Sequence, residues 1–197
     1  MTRTVHPIEA ESYAILRGRA GTAALPPYTR AVTERVIHAS ADLAYLTDLV
    51  CDEEALAAGA RALRRGVPVV TDTEMVAAGI TSRNAMCRVR APQAAALAAR
   101  AGITRSAAGI RVAFQEVGQD AVWVAGTAPT ALLELITLGA APALVIGMPV
   151  GFVGAAEAKQ ALRASGLPAL TNRSEKGGAA VAAAALNALL YLEEDRP

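Results

Sequence analysis

A chain of 197 residues has room for one domain with a substantial core. Hydrophobic residues make up 53% but aromatics only 4%, so that core is built from Ala, Val, Leu and Ile. Nineteen basic against 18 acidic residues give a formal charge of +1, which removes the electrostatic case for a nucleic-acid partner.

From the start of the chain, Pro7 to Arg19 reads as a helix, with Ile8, Ile15 and Leu16 available for its buried side. After the Pro26-Pro27 turn a second helix runs from Tyr28 to Ala39, with Val32 and Val36 one turn apart. Leu43 to Leu49 is ambiguous between a strand and a short turn. Glu53 to Arg65 is a helix, acidic at its start and basic at its end as the macrodipole favours, and Gly66 stops it. Strand signals follow at Val67–Thr71, Ala85–Arg90, Ala121–Ala125, Ala143–Ile146 and Pro168–Thr171. Between them lie a helical turn at Asp72–Ala78 and helices at Pro92–Arg100, Arg105–Glu116, Pro129–Leu138 and Ala155–Ala164. An Ala-rich helix from Gly178 to Leu192 comes last.

Strands separated by helices predict a single α/β domain over residues 1–197. Its mainly parallel sheet carries helices on both faces, a Rossmann-like three-layer arrangement. Ligands of such sheets bind outside the carboxyl ends of the strands, which places Asp72, Gly126-Thr127 and Gly147-Met148 on one rim. Cys51 and Cys87 stand in no metal or disulfide pattern and read as a reduced pair. No apolar leader precedes Arg19, and the longest apolar stretch, Ala179 to Leu186, is too short to span a bilayer. A cytoplasmic protein with no membrane partner is expected.

The most informative stretch is Ile146-Gly-Met-Pro-Val-Gly-Phe-Val-Gly-Ala-Ala-Glu-Ala-Lys159. A buried strand breaks at Gly147 and Pro149, and Gly151 and Gly154 open a helix whose N–H groups suit an anion. The glycines are spaced GxxxGxxG, so this is neither a dinucleotide fingerprint nor a Walker loop. Taken as a word, it closely resembles the GMPVGFVGAAE segment of the precorrin-8X methylmutase family, corrin-ring isomerases of cobalamin biosynthesis. Further words follow in the family's order: Ser12-Tyr-Ala-Ile-Leu-Arg, Val36-Ile-His-Ala, Asp72-Thr-Glu-Met-Val, Thr104-Arg-Ser-Ala-Ala and Gly126-Thr-Ala-Pro-Thr-Ala-Leu. Gly177-Gly178 then leads into the Ala-rich helix with Asn187. The resemblance runs from about His6 to Leu190.

The resemblance implies migration of a methyl group from C11 to C12 of precorrin-8X or cobalt-precorrin-8, without methyl donor, redox cofactor or resident metal. It also implies a homodimer. A lone histidine on a half-apolar helix is more often structural than catalytic, but the family places its catalytic histidine at His38. By the same resemblance Ser12, Thr81, Arg83, Arg105, Thr127, Gly151 and Gly154 contact the substrate, with Arg105 and the helix starts clamping peripheral carboxylates. His6 reads as exposed and idle; Asp72 and Glu74 could form a carboxylate pair for acid–base work, and a helix N-cap explains Asp72 equally well.

The chain departs from the family at several places. Ser40-Ala41 stands where Cys-Gly often follows, Thr127 where many relatives have Asn, and Ala179 lacks a hydroxyl. The connection after Thr81-Ser82-Arg83 is also shortened. A non-catalytic corrinoid carrier would share every binding feature without needing His38. A nucleotide-binding Rossmann enzyme is disfavoured by the missing fingerprint.

Overall fold

The computed structural model describes residues 5–194. Six strands form one sheet: β1 (Leu49–Cys51), β2 (Val69–Thr71), β3 (Met86–Cys87), β4 (Val122–Ala125), β5 (Leu144–Gly147) and β6 (Ala169–Asn172). Their order across the sheet is β1-β6-β5-β4-β2-β3. All neighbours are parallel except the edge strand β1, which runs antiparallel to β6 with Leu49 opposite Asn172. This is the expected α/β domain, with one antiparallel edge added.

The strand alternation sorts side chains into two cores. Val122 and Val124 of β4 and Leu144 and Ile146 of β5 face one layer, built from α1 (Pro7–Ala20), α2 (Pro27–Ser40), α4 (Glu53–Arg64), α5 (Glu74–Gly79) and α10 (Ala179–Glu194). Trp123 and Val145 face the other, built from α7 (Arg105–Val117), α8 (Pro129–Thr137) and α9 (Ala155–Ala164). Helix α6 (Pro92–Ala101) packs outside α7 through Ala94, Ala108 and Val112. The short α3 (Tyr45–Asp48) leads directly into β1, which resolves the ambiguous Leu43–Leu49 segment as a helical turn followed by a strand. The strand expected over Ala85–Arg90 shrinks to Met86–Cys87, because Arg88 to Ala91 closes a turn through the Ala91 N–H to Arg88 carbonyl bond.

Helix α1 corrects its expected burial. Leu16 is buried, but Ile8 and Ile15 are 70% and 49% exposed. The helix is held to α2 largely by polar contacts. Arg17 makes a two-nitrogen contact with Glu34, Arg35 pairs with Glu9 at 2.6 Å, and Ser12 and Tyr13 meet His38. Glu34 is itself buried. Burial alone would raise its carboxyl, but hydrogen bonds from Arg17, Arg30 and Thr22 hold it at about 2.

Candidate active site

Helix α1 begins at His6, whose Nδ1 accepts the Ile8 N–H at 3.2 Å, so His6 caps the helix and is not idle. Six residues on, Ser12 reaches the last turn of α2, where its Oγ lies 2.8 Å from His38 Nδ1. The Tyr13 ring stacks on the imidazole with centroids 5.0 Å apart and planes within 7°. Arg35, one turn before His38, contacts the Tyr13 hydroxyl at 3.4 Å and lies over the Tyr191 ring. Tyr191 in turn hydrogen-bonds Thr81 Oγ1 at 2.5 Å. Ser12, His38 and Thr81 therefore belong to one cluster across α1, α2 and α10. The Thr81 N–H donates to Asn187 Oδ1, and Asn187 Nδ2 donates to the Gly79 carbonyl, which fixes the connection after α5.

The C-terminal strand ends form a second cluster. Asp72 is not the cap of α5; Thr73 occupies that position. The buried Asp72 carboxylate instead accepts the N–H groups of Gly126, Thr127 and Ala128 at 3.2, 2.7 and 2.7 Å, shaping the β4–α8 turn. Burial pushes its carboxyl upward while these three donors pull it down. Thr127 Oγ1 meets Thr73 Oγ1 at 3.0 Å. Thr104 caps α7 through the Ala107 N–H and touches Thr130 Oγ1 at 2.7 Å, so the start of α7, with exposed Arg105, abuts the start of α8.

The glycine stretch completes this rim. Gly154 takes φ +77° as the cap of α9, beside Pro129 at the start of α8. The Gly151 N–H donates to the Glu175 carbonyl at 3.1 Å, and the Gly178 N–H to Met148 O at 2.9 Å. A side chain at Gly177 would collide with the Met148 carbonyl, so the two loops meet backbone to backbone. At the tip, Phe152 and Val153 are 95% and 90% exposed. Lys176 pairs with Asp42 at 2.7 Å, which ties this rim to the turn just beyond His38. Arg83 stands apart: its Nη1 donates to the Val67 carbonyl, ahead of β2 and at the opposite end of the strands.

Sequence reasoning missed Tyr13, Arg35 and Tyr191, whose ring contacts cross three helices and leave no local pattern. It gave Lys159 no role. One signal was present, because Lys159 shares the helical face of the apolar Ala155, Ala158 and Leu162.

Helix starts and close-packed loops gathered over parallel strand ends, with an imidazole held between α1 and α2, give the layout of an α/β enzyme. The sequence profile of the family described as CbiC, precorrin-8X methylmutase, matches residues 7–192. The chain belongs to this family and is accordingly an isomerase, a methylmutase of cobalamin biosynthesis. The cobalt-precorrin-8 methylmutase of Methanothermobacter thermautotrophicus is 41% identical over 87% of this chain and 84% of its own length. The precorrin-8X methylmutase of Pseudomonas aeruginosa is 40% identical over 92% of this chain and 93% of its own. The solved precorrin-8x methyl mutase from Thermus thermophilus superposes with a TM-score of 0.86 at 35% identity, covering 95% of this chain and 96% of that one. Among the described residues no helix is long and apolar enough to cross a membrane.

Proposed function

We propose that this methylmutase acts on precorrin-8X or its cobalt counterpart, moving a methyl group from C11 to C12 to give hydrogenobyrinate or cobyrinate, with His38 as the proton donor. The observation that carries the reading is the Ser12–His38 hydrogen bond on a ring stacked against Tyr13. Ser12 and Tyr13 fix the imidazole's orientation for proton exchange with a substrate. A proton lent to a ring nitrogen draws electron density from the adjacent conjugated system and eases the methyl shift. The step is an isomerisation, so nothing is oxidised, no group leaves, and the proton returns to His38.

The remaining work is to hold a flexible, carboxylate-fringed macrocycle in one conformation. Arg105 at the start of α7, Thr127 at the start of α8, and the Gly151 and Gly154 turn before α9 are suited to its peripheral carboxylates. Phe152 and Val153 offer apolar surface to the flat ring. Ile8, Ser12 and Ile15 share one face of α1, and the exposure of both isoleucines on the helix that holds His38 supports a homodimer. On this reading Arg83, remote from the glycine rim of its own chain, and Thr81, linked to His38 through Tyr191, Arg35 and Tyr13, meet substrate at the subunit boundary.

The test is to mix the protein with precorrin-8X, and separately with cobalt-precorrin-8, and follow the visible spectrum. Conversion of either ring to its methyl-shifted product supports the proposal. Tight binding of both without conversion contradicts it and favours a corrinoid carrier.

A further inference from the structure

Lys159 is fully buried on the sheet-facing side of α9. A lysine there carries a large desolvation cost unless each of its three N–H donors finds an acceptor. All three do. Nζ donates to Asn172 Oδ1 at 3.1 Å, to the Lys176 carbonyl at 2.6 Å and to the Ser174 carbonyl. The acceptors all come from one segment, the end of β6 and the loop leading to Gly177.

That segment is gripped from its other side by Asp48 of α3. Asp48 accepts Asn172 Nδ2 at 2.8 Å, the N–H groups of Arg173 and Ser174 at 3.0 and 2.8 Å, and Ser174 Oγ at 2.7 Å. The free edge of the same segment supplies the Glu175 carbonyl to Gly151 and the Gly178 N–H to Met148. The 172–178 loop is thus a strut between a buried ammonium and the glycine turn at the rim.

We propose that Lys159 is a positioning residue of the methylmutase site: its three-proton head holds the 172–178 loop in the shape that fixes the Met148–Gly154 turn for substrate. For its activity readout this rests on the function proposed above. A neutral amine has two N–H groups and a lone pair, so one of the three bonds from Nζ to the loop would be lost and the loop would loosen. The groups facing the ammonium are Asp48 and Glu175, which favour the charged form, and Arg163, one turn along α9, which opposes it. Burial outweighs them and brings Lys159 down to about 8. Because that lies below the ordinary lysine value, losing this proton between about 8 and 10.5 adds to global stability while one loop is released. A purely structural lysine would not separate the two.

The experiment is heteronuclear NMR of the wild-type protein from pH 6.5 to 10, following the Lys159 side chain and the amides of Gly151, Glu175, Gly177 and Gly178, with precorrin-8X turnover measured over the same range. Lys159→Met is run alongside. The expected result is one shared midpoint near 8 for side chain, loop amides and kcat, with melting temperature not falling in step. At pH 7 Lys159→Met should show the high-pH loop shifts and about tenfold lower kcat. Loop amides that stay in place while Lys159 deprotonates would overturn the proposal, as would Lys159→Met with native loop shifts and native kcat. If Lys159→Met does not fold, the wild-type titration decides alone. If no turnover occurs at any pH, the substrate assignment fails, and the amide shifts still decide what Lys159 holds.

Discussion

Ser12 Oγ and His38 Nδ1 lie 2.8 Å apart although 26 residues separate them, so the first helix fixes the imidazole carried by the second. Removing the hydroxyl in Ser12→Ala frees the ring to rotate without touching the core. We predict that kcat falls about tenfold and that the pH midpoint of kcat/KM moves, with melting temperature nearly unchanged. Steady-state kinetics between pH 5 and 9 check this; an unmoved profile would mean that Ser12 does not orient the ring.

Three residues beyond His38, Ala41 ends α2 with φ +54°, the left-handed region that costs an alanine about 1–2 kcal/mol. The family resemblance leads to Gly at this place. Ser40 supports the turn, donating to the Val36 carbonyl and accepting the Asp42 N–H. Ala41→Gly trades the strain against a gain in unfolded-chain entropy and should stabilise by about 0.5–1 kcal/mol. Calorimetry should read this as a melting temperature raised by about 2 °C.

Phe152 is 95% exposed at the tip of the glycine turn and contributes almost nothing to the fold. Phe152→Ala should leave stability within about 0.5 kcal/mol while raising KM for the corrinoid several-fold. Thermal melts and substrate titration of one preparation test both halves. An unchanged KM would remove the apolar loop tip from the substrate site.

Glu34 anchors α1 to α2 through Arg17, and Arg30 of its own helix and Thr22 complete its hydrogen bonds. Its carboxyl is held at about 2, below the ordinary glutamate value, so its contribution is fully present above about pH 4.5 and is lost as pH falls through 2. Glu34→Gln should therefore cost about 1–3 kcal/mol at pH 7 and little at pH 2. Denaturant titrations at the two pH values measure the difference.

The order of strands and helices was legible because β2, β4 and β5 are short apolar runs bounded by Gly and Pro, and each helix carries its own punctuation. The edge strand β1 was not. Leu49–Cys51 is three half-buried residues long and takes its identity from pairing with β6, a contact more than 100 residues away in sequence. Helix α1 misled in another way, since Ile8 and Ile15 looked like a buried side while its contacts with α2 run through Ser12, Tyr13 and Arg17. Of the candidate site, His38 and the glycine rim were visible as words. The Tyr13 stack, the three amides on Asp72 and the three acceptors on Lys159 depend on where distant segments meet, which no local pattern encodes.

The proposed methyl shift turns on a proton lent by His38. The most direct measurement is single-turnover conversion of bound precorrin-8X by wild-type protein and His38→Ala, with binding recorded in the same cuvette from the spectral change. Binding should be unchanged and the rate lower by about 10²–10⁴ in the variant. Conversion at the wild-type rate would contradict this role for His38.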